Sequence, residues 1–341
     1  MFIPRFVLCL AVSAAITGAT ALPTTEPSSA PKVAGSKCST IDYRREWRDL
    51  TVLQRLSYID AVHCLHKLPP HDKTRAATTR FGEFQATHIL LTDRVHSVVR
   101  HLVTLYGRAL KEECVYDGPT TYWDWTRDDP SLPVLKSPIF DPVTGFGGDG
   151  VPGTYTLPSD PKNESAVLTP FPGAEAFFYK GCVQDGPFKD WVVHLGPGRM
   201  VTDHCLVRGV QEMFRYAYTT AHVEETLQSK TYEEFRIVID DLMFGIHGSG
   251  LALVGGEMTN TYSAGADPLF YLHHGGLDRV WWKWQQADPA NRLYDISGPT
   301  TQGGSDTVTL DFMLDFPALG PNITVRDSLD SSLEPNCFIY E

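Results

Sequence analysis

The sequence lacks a hydrophobic stretch long enough to cross a membrane. An apolar run extends from Phe6 to Ile16, and no later segment approaches the roughly 20 apolar residues that a membrane helix needs. Arg5 precedes this run, and Ala19-Thr20-Ala21 follows it with the small-x-small pattern of a cleavage site. The sequence therefore predicts a signal peptide over residues 1–21 and a secreted, extracellular protein.

Positive charge is also scarce. The 29 Lys and Arg residues are outnumbered by 41 Asp and Glu residues, which gives a formal net charge of −12. A protein that binds nucleic acid needs basic patches to contact phosphates, and none is visible here. We therefore expect neither nucleic acid nor a membrane as a partner.

Internal repeats and an obvious linker between domains are missing as well. Residues 22–37 are rich in Pro, Ser, Thr and Ala and poor in bulky apolar side chains, a composition that predicts a disordered leader. The remaining residues, 38–341, are long enough to bury a large core. We expect them to form one domain.

The cysteines are few but even in number. Cys9 lies in the predicted signal peptide, so six remain in an oxidising compartment, where disulfides are expected. Six cysteines allow 15 pairings, and spacing alone does not choose among them. Cys182 and Cys205 bracket a Gly/Pro-rich stretch and are the preferred pair. Asn163 and Asn322 each begin an Asn-x-Ser/Thr glycosylation signal, which agrees with secretion.

Helical periodicity covers much of the chain outside a Gly- and Pro-rich middle region, residues 117–208, which predicts long packed loops. Thr231 and Glu234 form a capping box ahead of an apolar stripe that continues to Ile246. Asp267-Pro268 opens a further helix. The predicted helices are Thr51–His66, Phe81–His88, Arg94–Cys114, Thr231–Ile246 and Asp267–Gln285. The fold is therefore predicted to be mainly α-helical.

Two groups of histidines stand beside these helices. His274 and Asp278 are one turn apart on one helix face, and His247 precedes a glycine-rich break that turns its ring inward. His88 and His96 are eight residues apart, too far around a continuous helix to share a face. Imidazoles held on helices in this way are typical of a metal centre.

Five further segments have a distinctive composition. They are Tyr122-Trp-Asp-Trp125, Ser137–Gly148, Gly181–Phe188, Gly255-Gly-Glu-Met258 and Asp267-Pro-Leu-Phe-Tyr-Leu-His-His274. Together they resemble short secreted fungal proteins of the tyrosinase and catechol-oxidase family, over nearly all of residues 38–341. The resemblance implies a four-helix-bundle domain with long disulfide-pinned loops and two copper ions, each held by three histidines.

The resemblance also implies an activity and a set of ligands. The family oxidises o-diphenols, and in some members monophenols, to o-quinones with O₂, and no protein nucleophile is required. His88 and His96 match the first two ligands of the first copper. His247 and His274 match the first and third ligands of the second. A small phenolic substrate and O₂ are the implied partners, and copper is the implied cofactor.

Two positions depart from the family pattern. Alignment backwards from Glu112-Glu-Cys114 puts Val99 where the third ligand of the first copper belongs, with about six residues missing before it. Leu251 stands where the second ligand of the second copper belongs, four residues after His247. An aliphatic side chain cannot bind copper, so severely impaired catalysis is expected. His101 is the remaining candidate substitute for a missing ligand.

Several alternatives stay open at the level of sequence. A non-catalytic secreted protein that binds a phenolic compound or a partner is favoured by Leu251, whereas a misread exon boundary would explain only the missing segment. An oxygen carrier of the hemocyanin kind would share the copper pair. Elsewhere we expect disulfide bonding for Cys64, core packing for the aromatic cluster at Tyr122–Trp125, packing beside the ligands for His273, and a ligand or an arginine as partner of Asp278.

Overall fold

The computed structural model describes residues 34–94, 98–167, 171–241 and 245–341. The predicted signal peptide and residues 22–33 of the predicted leader lie outside these ranges, as does His96. Residues 34–37 are tied to the end of the chain, where Gly35 N–H donates to the Glu334 carbonyl over 2.8 Å. None of the described helices is long and apolar enough to cross a membrane.

Helices form most of the regular structure. They are α1 (Val52–Lys67), α2 (Arg80–Leu91), α3 (Val98–Cys114), α4 (Ala174–Phe178), α5 (Thr220–Leu227), α6 (Tyr232–Ile239), α7 (Ile246–Val254), α8 (Leu269–Ala287), α9 (Pro289–Arg292) and α10 (Val325–Leu329). Threonine side chains cap several N-termini, as Thr51 does by accepting from Gln54 N–H at the start of α1. The mainly α-helical fold predicted from periodicity is confirmed.

One helix prediction was wrong. The apolar stripe from Phe235 to Ile246 was expected to continue in a single helix, but α6 ends at Ile239 and α7 begins at Ile246. Asp240 ends α6 outside helical geometry, and its carboxylate accepts a hydrogen bond from the His247 ring. The hydrogen bond between His247 and Asp240 therefore links two separate helices, although the spacing of apolar residues had predicted one continuous helix.

The core is a bundle in which α1 packs on α2 and α3, α3 packs on α8, and α8 packs on α7. Aromatic rings fill the space between the helices. Tyr106 of α3 stacks on Tyr271 of α8 with ring centroids 3.7 Å apart, and Phe81 of α2 meets Tyr271 edge-on. Trp123 and Trp125, from the cluster predicted to be core, are both buried. The bundle thereby fixes the faces of α2, α3, α7 and α8 relative to one another.

Short strands join the loops around the bundle. They are β1 (Asp42–Glu46), β2 (Thr121–Tyr122), β3 (Gly181–Cys182), β4 (Val192–Leu195), β5 (Val201–Cys205), β6 (Val207–Arg208), β7 (Met313–Leu314), β8 (Ile323–Thr324) and β9 (Phe338–Tyr340). β1 lies between β2 and β9 and is parallel to both. The other pairs, β3 with β6, β4 with β5 and β7 with β8, are antiparallel.

Three disulfides hold these loops to the core. Cys182 pairs with Cys205, as predicted, and Cys64 joins α1 to the end of α3 through Cys114. The third pair, Cys38 with Cys337, closes the domain across 299 residues. The long loops predicted from the Gly- and Pro-rich middle region are therefore pinned covalently.

A buried charge network crosses the bundle behind the histidines. Asp278 of α8 accepts from Arg44 of β1 at 3.0 Å, from Arg100 of α3 and from the Tyr340 hydroxyl. All four residues are nearly inaccessible to solvent. Of the two roles predicted for Asp278, these contacts are those of a carboxylate that binds arginines.

Candidate metal centre

His247 occupies the first turn of α7 with its ring fixed by the preceding loop. The Nδ1 atom lies 2.8 Å from Oδ1 of Asp240, the residue that ends α6. A carboxylate can only accept, so Nδ1 carries the proton and the Nε2 lone pair is directed away from Asp240. This arrangement of a carboxylate behind an imidazole is common in protein metal sites.

His88 is fixed in the same tautomer by a different acceptor. Its Nδ1 lies 2.8 Å from the backbone carbonyl oxygen of Tyr262, to which it donates. Burial, with a smaller contribution from the nearby His247, lowers the pKa of His88 to about 4. The His88 ring is therefore neutral at physiological pH, which is the form that binds a metal.

His274 lies between these two rings. Its centroid is 5.1 Å from that of His247, and both His274 and His88 contact the Phe270 ring, at 4.2 and 4.7 Å. Phe270 and His274 are one turn apart on α8, so the phenyl ring packs beneath the imidazole. The structure thus brings three of the four predicted ligands together, and the fourth, His96, lies outside the described residues.

A cavity of about 70 Å³ opens beside His247 and His274. Its walls include the aromatic rings of Tyr232, Phe235 and Trp281. Such walls offer flat apolar surfaces to an aromatic ligand, while the imidazoles supply polar contact at one side. The site can therefore receive a small ring compound next to the histidines.

Val99 lines the same cavity. It is the second residue of α3 and immediately precedes Arg100, whose guanidinium is anchored on Asp278. The position at which the resemblance leads us to expect a ligand is therefore occupied by a valine side chain at the cavity wall. A histidine at this position would face the cavity that His247 and His274 share.

Leu251 lies one helical turn after His247 on α7 and packs against the main hydrophobic core. The isobutyl group of Leu251 buries apolar surface, which stabilises the fold, but it offers no atom that can bind a metal. The helix itself is intact, because the backbone does not depend on which side chain occupies the position.

His101 does not join the cluster. Its ring is buried against Phe316, with centroids 4.9 Å apart, and its Nδ1 is 3.4 Å from Oδ1 of Asn336. On a helix His101 points about 200° away from Val99, which faces the cavity. The structure therefore gives no support to His101 as a substitute ligand.

The residues behind the histidines fix their backbone. The Nε2 atom of His273 lies 3.1 Å from the His247 carbonyl oxygen, and its ring packs edge-on to Trp125. A Cβ on Gly250 would lie only 2.2 Å from Cε1 of His273 and 1.5 Å from the Tyr218 hydroxyl. Only glycine leaves room there, so α7 and α8 approach closely enough to bring His247 and His274 together.

The sequence had not revealed two of the acceptors. Asp240 and the Tyr262 carbonyl were missed because the first was assigned to a helix interior and the second is a backbone group. The acidic pair Asp240-Asp241 was an available signal for a break, because acidic residues favour the first turn of a helix and not its last.

The described donors fit copper at one half of the expected centre only. His247 and His274 are imidazoles on rigid helices, with an acceptor behind His247, and neutral imidazole suits copper. At the two positions where the resemblance leads us to expect further ligands, Val99 and Leu251 are aliphatic and cannot bind copper. Among the described residues, the only three potential ligands whose donor atoms all lie within 4.8 Å of one another are Cys38, Glu334 and Cys337, where the two sulfurs already form a disulfide. The three histidines are neighbours, but their nitrogen atoms are not that close together.

Comparisons with known proteins agree with this geometry. The model of the common central domain of tyrosinase matches residues 78–287. Tyrosinase P from Aspergillus terreus is 32% identical, over 89% of this chain and 93% of that protein. N-acetyl-6-hydroxytryptophan oxidase from Emericella nidulans is 30% identical, over 87% of this chain and 92% of that protein. A polyphenol oxidase structure from Thermothelomyces thermophila superposes with a TM-score of 0.75 at 26% identity, and the match covers 90% of this chain and 91% of that one. This chain belongs to the tyrosinase family of type-3 copper oxidases.

Proposed function

We propose that this chain is a secreted phenol oxidase whose copper-dependent oxidation of o-diphenols to o-quinones by O₂ is severely reduced. Family membership and the cavity beside His247 and His274 support the reaction class. The observation that sets the level of activity is Val99 in the cavity wall, where a third imidazole of the first copper is expected. The three disulfides support a secreted protein.

The chain's own residues position the reactants. Asp240 and the Tyr262 carbonyl hold the rings of His247 and His88 in one tautomer. Phe235 and Trp281 provide flat walls for the phenol ring. Copper, when bound, supplies the redox chemistry by which two diphenols give four electrons and four protons to O₂, forming two quinones and two waters. The protein contributes geometry and access to the site.

Restoring the missing imidazoles tests this proposal. We expect the native chain to bind less than two copper ions, and the Val99→His/Leu251→His double variant to bind more copper per chain and to oxidise catechol faster. Copper is measured by elemental analysis and quinone by absorbance. The matched control is Val167→His/Leu157→His, which changes the same residue types at partly buried positions outside the cavity.

Two results would contradict the proposal. Two coppers per native chain with full activity would show that other residues complete the sites. A double variant that folds but gains neither copper nor turnover would show that the two aliphatic side chains are not what limits the centre.

A second candidate function is a non-catalytic protein that binds phenolic compounds. It is favoured by Leu251, which is partly buried and packs against the main core as a structural leucine does. Binding of catechol without copper and without quinone formation would distinguish this protein from a slow oxidase.

A further inference from the structure

The ring of His88 is fixed by a peptide unit of the loop between α7 and α8. The acceptor of the ring, the Tyr262 carbonyl oxygen, belongs to the peptide unit that joins Tyr262 to Ser263. A peptide unit is planar and trans, so its C=O and its N–H point in opposite directions. Whatever binds the Ser263 N–H group therefore also helps to set the direction of the carbonyl that holds His88.

Asn260 binds that N–H group. Its Oδ1 atom accepts from Ser263 N–H over 3.2 Å and from Tyr262 N–H over 3.1 Å. These N–H groups lie at the start of the short 3₁₀ helix Ser263–Ala266, where the helix itself offers them no acceptor. The peptide unit is thus held on both sides, by the Asn260 oxygen at its N–H and by the His88 ring at its carbonyl.

The Asn260 amide is itself held in one orientation. Asn260 is only 1% exposed, and its Nδ2 atom donates to the Ser165 carbonyl over 2.6 Å and to the Tyr179 hydroxyl over 3.3 Å. Turning the amide over would set its oxygen against the Ser165 carbonyl and its nitrogen against two N–H groups. The oxygen therefore stays directed at the peptide unit behind His88.

The short 3₁₀ helix does not fix this peptide unit alone. It has four residues, and the hydrogen bonds of a 3₁₀ helix are less well aligned than those of an α-helix. The Ser263 hydroxyl donates to Glu257. The Tyr262 hydroxyl donates to Asp93 over 3.1 Å. These bonds hold side chains, whereas the bonds of Asn260 hold backbone N–H groups at the first turn.

The distinctive Gly255-Gly-Glu-Met258 segment brings Asn260 to this position. A Cβ on Gly256 would lie 1.8 Å from the Val207 carbonyl oxygen, so the chain passes β6 this closely only with glycine. Glu257 follows, and its carbonyl accepts from Asn260 N–H over 2.9 Å. The segment thereby places the Asn260 amide next to the peptide unit behind His88.

We propose that Asn260 is a positioning residue for His88. By holding the peptide unit of Tyr262 and Ser263, it keeps the His88 ring in the tautomer that carries its proton on Nδ1 and leaves Nε2 free to bind a metal. The proposal rests on the proposed function only in taking His88 for a copper ligand. A residue that merely caps the short helix would affect stability and leave the His88 ring unchanged.

Side-chain ¹⁵N NMR of the copper-free chain with labelled histidine tests the proposal, because the protonated and unprotonated ring nitrogens give different signals. His88→Gln identifies the signal of His88. We expect a protonated Nδ1 in the native chain and a mixture of both tautomers in Asn260→Ala. Asn260→Asp keeps the acceptor oxygen and should retain the native signal. The matched control is Asn336→Ala, since Asn336 is 3% exposed and donates to the carbonyls of Asp327 and Asp330.

Copper titration with a competing chelator is the second readout. Loss of a contact behind a ligand weakens metal binding about 10- to 100-fold, and Asn260→Ala should show such a loss. A changed His88 signal with unchanged copper affinity would support the positioning role and contradict the proposed function, because His88 would then not bind the metal.

A milder variant keeps the test decisive. The hydroxyl of Asn260→Ser makes the same turn more weakly, so this variant should give an intermediate signal and serves if Asn260→Ala does not fold. The proposal is overturned if the folded Ala variant, or in its absence the Ser variant, keeps the native His88 signal. It is also overturned if Asn336→Ala or Asn260→Asp changes that signal as much as Asn260→Ala does.

Discussion

The two halves of the candidate metal centre are expected to depart from the family pattern in different ways. In the half formed by α7 and α8, the expected departure is one replaced residue, Leu251, which occupies a normal helical position. In the half formed by α2 and α3, the expected departure is a stretch missing before Val99, and α3 begins at Val98. Yet His88 is held as firmly as His247, by a carbonyl instead of a carboxylate.

The comparison indicates that the contacts holding the helices in place do not depend on the residues at the expected ligand positions. Arg100 directly follows Val99 and still reaches Asp278, and Cys114 at the far end of α3 still pairs with Cys64. These contacts hold α3 in register whether or not an imidazole is present at its start. Loss of ligands in this fold therefore need not cause loss of structure.

The largest expected effect is on the scaffold that both halves share. Asp278→Ala leaves Arg44 and Arg100 buried without their carboxylate, and should lower the free energy of unfolding by about 3–5 kcal/mol. Asp311→Ala is the control, since Asp311 pairs with Arg326 in solvent at 3.7 Å and should cost no more than about 1 kcal/mol. Urea denaturation measures both. Equal losses would refute a structural role for the buried network.

A smaller effect is expected on the metal affinity of the α7–α8 half. Asp240→Ala removes the acceptor that orients His247 and should weaken copper binding about 10- to 100-fold. The matched control is Asp203→Ala, because Asp203 binds the ring of His194, 2.6 Å away and outside the cavity. Copper titration with a competing chelator reads the affinity. Unchanged affinity in Asp240→Ala would show that His247 does not bind the metal.

A pair of glycines compares the packing of the two halves. Gly250→Ala forces its methyl group into Tyr218 and His273 beside His247, and should destabilise the protein by about 1–3 kcal/mol. Gly265→Ala near His88 meets nothing closer than 3.5 Å, and should be neutral or stabilising by up to about 1 kcal/mol. Thermal unfolding compares the variants. A large loss for Gly265→Ala would mean that the α2 side is the more tightly packed half.

The last prediction concerns pH. Burial lowers the pKa of His101 to about 3, from the ordinary 6.5. Between those values the unfolded chain binds a proton that the folded chain does not, so stability falls as the pH is lowered from 6.5 towards 3. His101→Gln should make this fall shallower by up to about 1.4 kcal/mol per pH unit. Unfolding curves at pH 7, 5 and 4 provide the measurement, and parallel profiles for the variant and the native chain would contradict the prediction.

Periodicity and capping predicted α1, α2 and α8 well, because each buries an apolar face, and α1 and α8 begin at the predicted Thr51 and Pro268. The start of the third predicted helix was wrong, since Arg94 pairs with Thr301 in an isolated β-bridge and the described α3 begins at Val98. The break between α6 and α7 was not predicted, because the bond from His247 to Asp240 joins two helices and leaves no trace in hydrophobic spacing. The pairing of Cys182 with Cys205 was predicted from a local loop. The pairing of Cys38 with Cys337 could not be, since it depends on the complete fold.

The sequence predicted candidate ligands, which remain predictions, but it did not reveal the groups that hold their rings. His88, His247 and His274 were identified by resemblance, and Val99 and Leu251 by their departure from it. The acceptor of the His88 ring is the backbone carbonyl of Tyr262. Every residue has such a group, so the sequence could not single this one out.

The bond between Cys38 and Cys337 makes the domain a covalent ring. A protease that cuts a surface loop anywhere between these two cysteines opens the ring but releases no fragment held only by the chain. A nicked molecule keeps its mass and its shared core until a reductant is added. Digestion patterns of this protein therefore have to be compared with and without reduction, and activity that survives nicking is no evidence that the chain is intact.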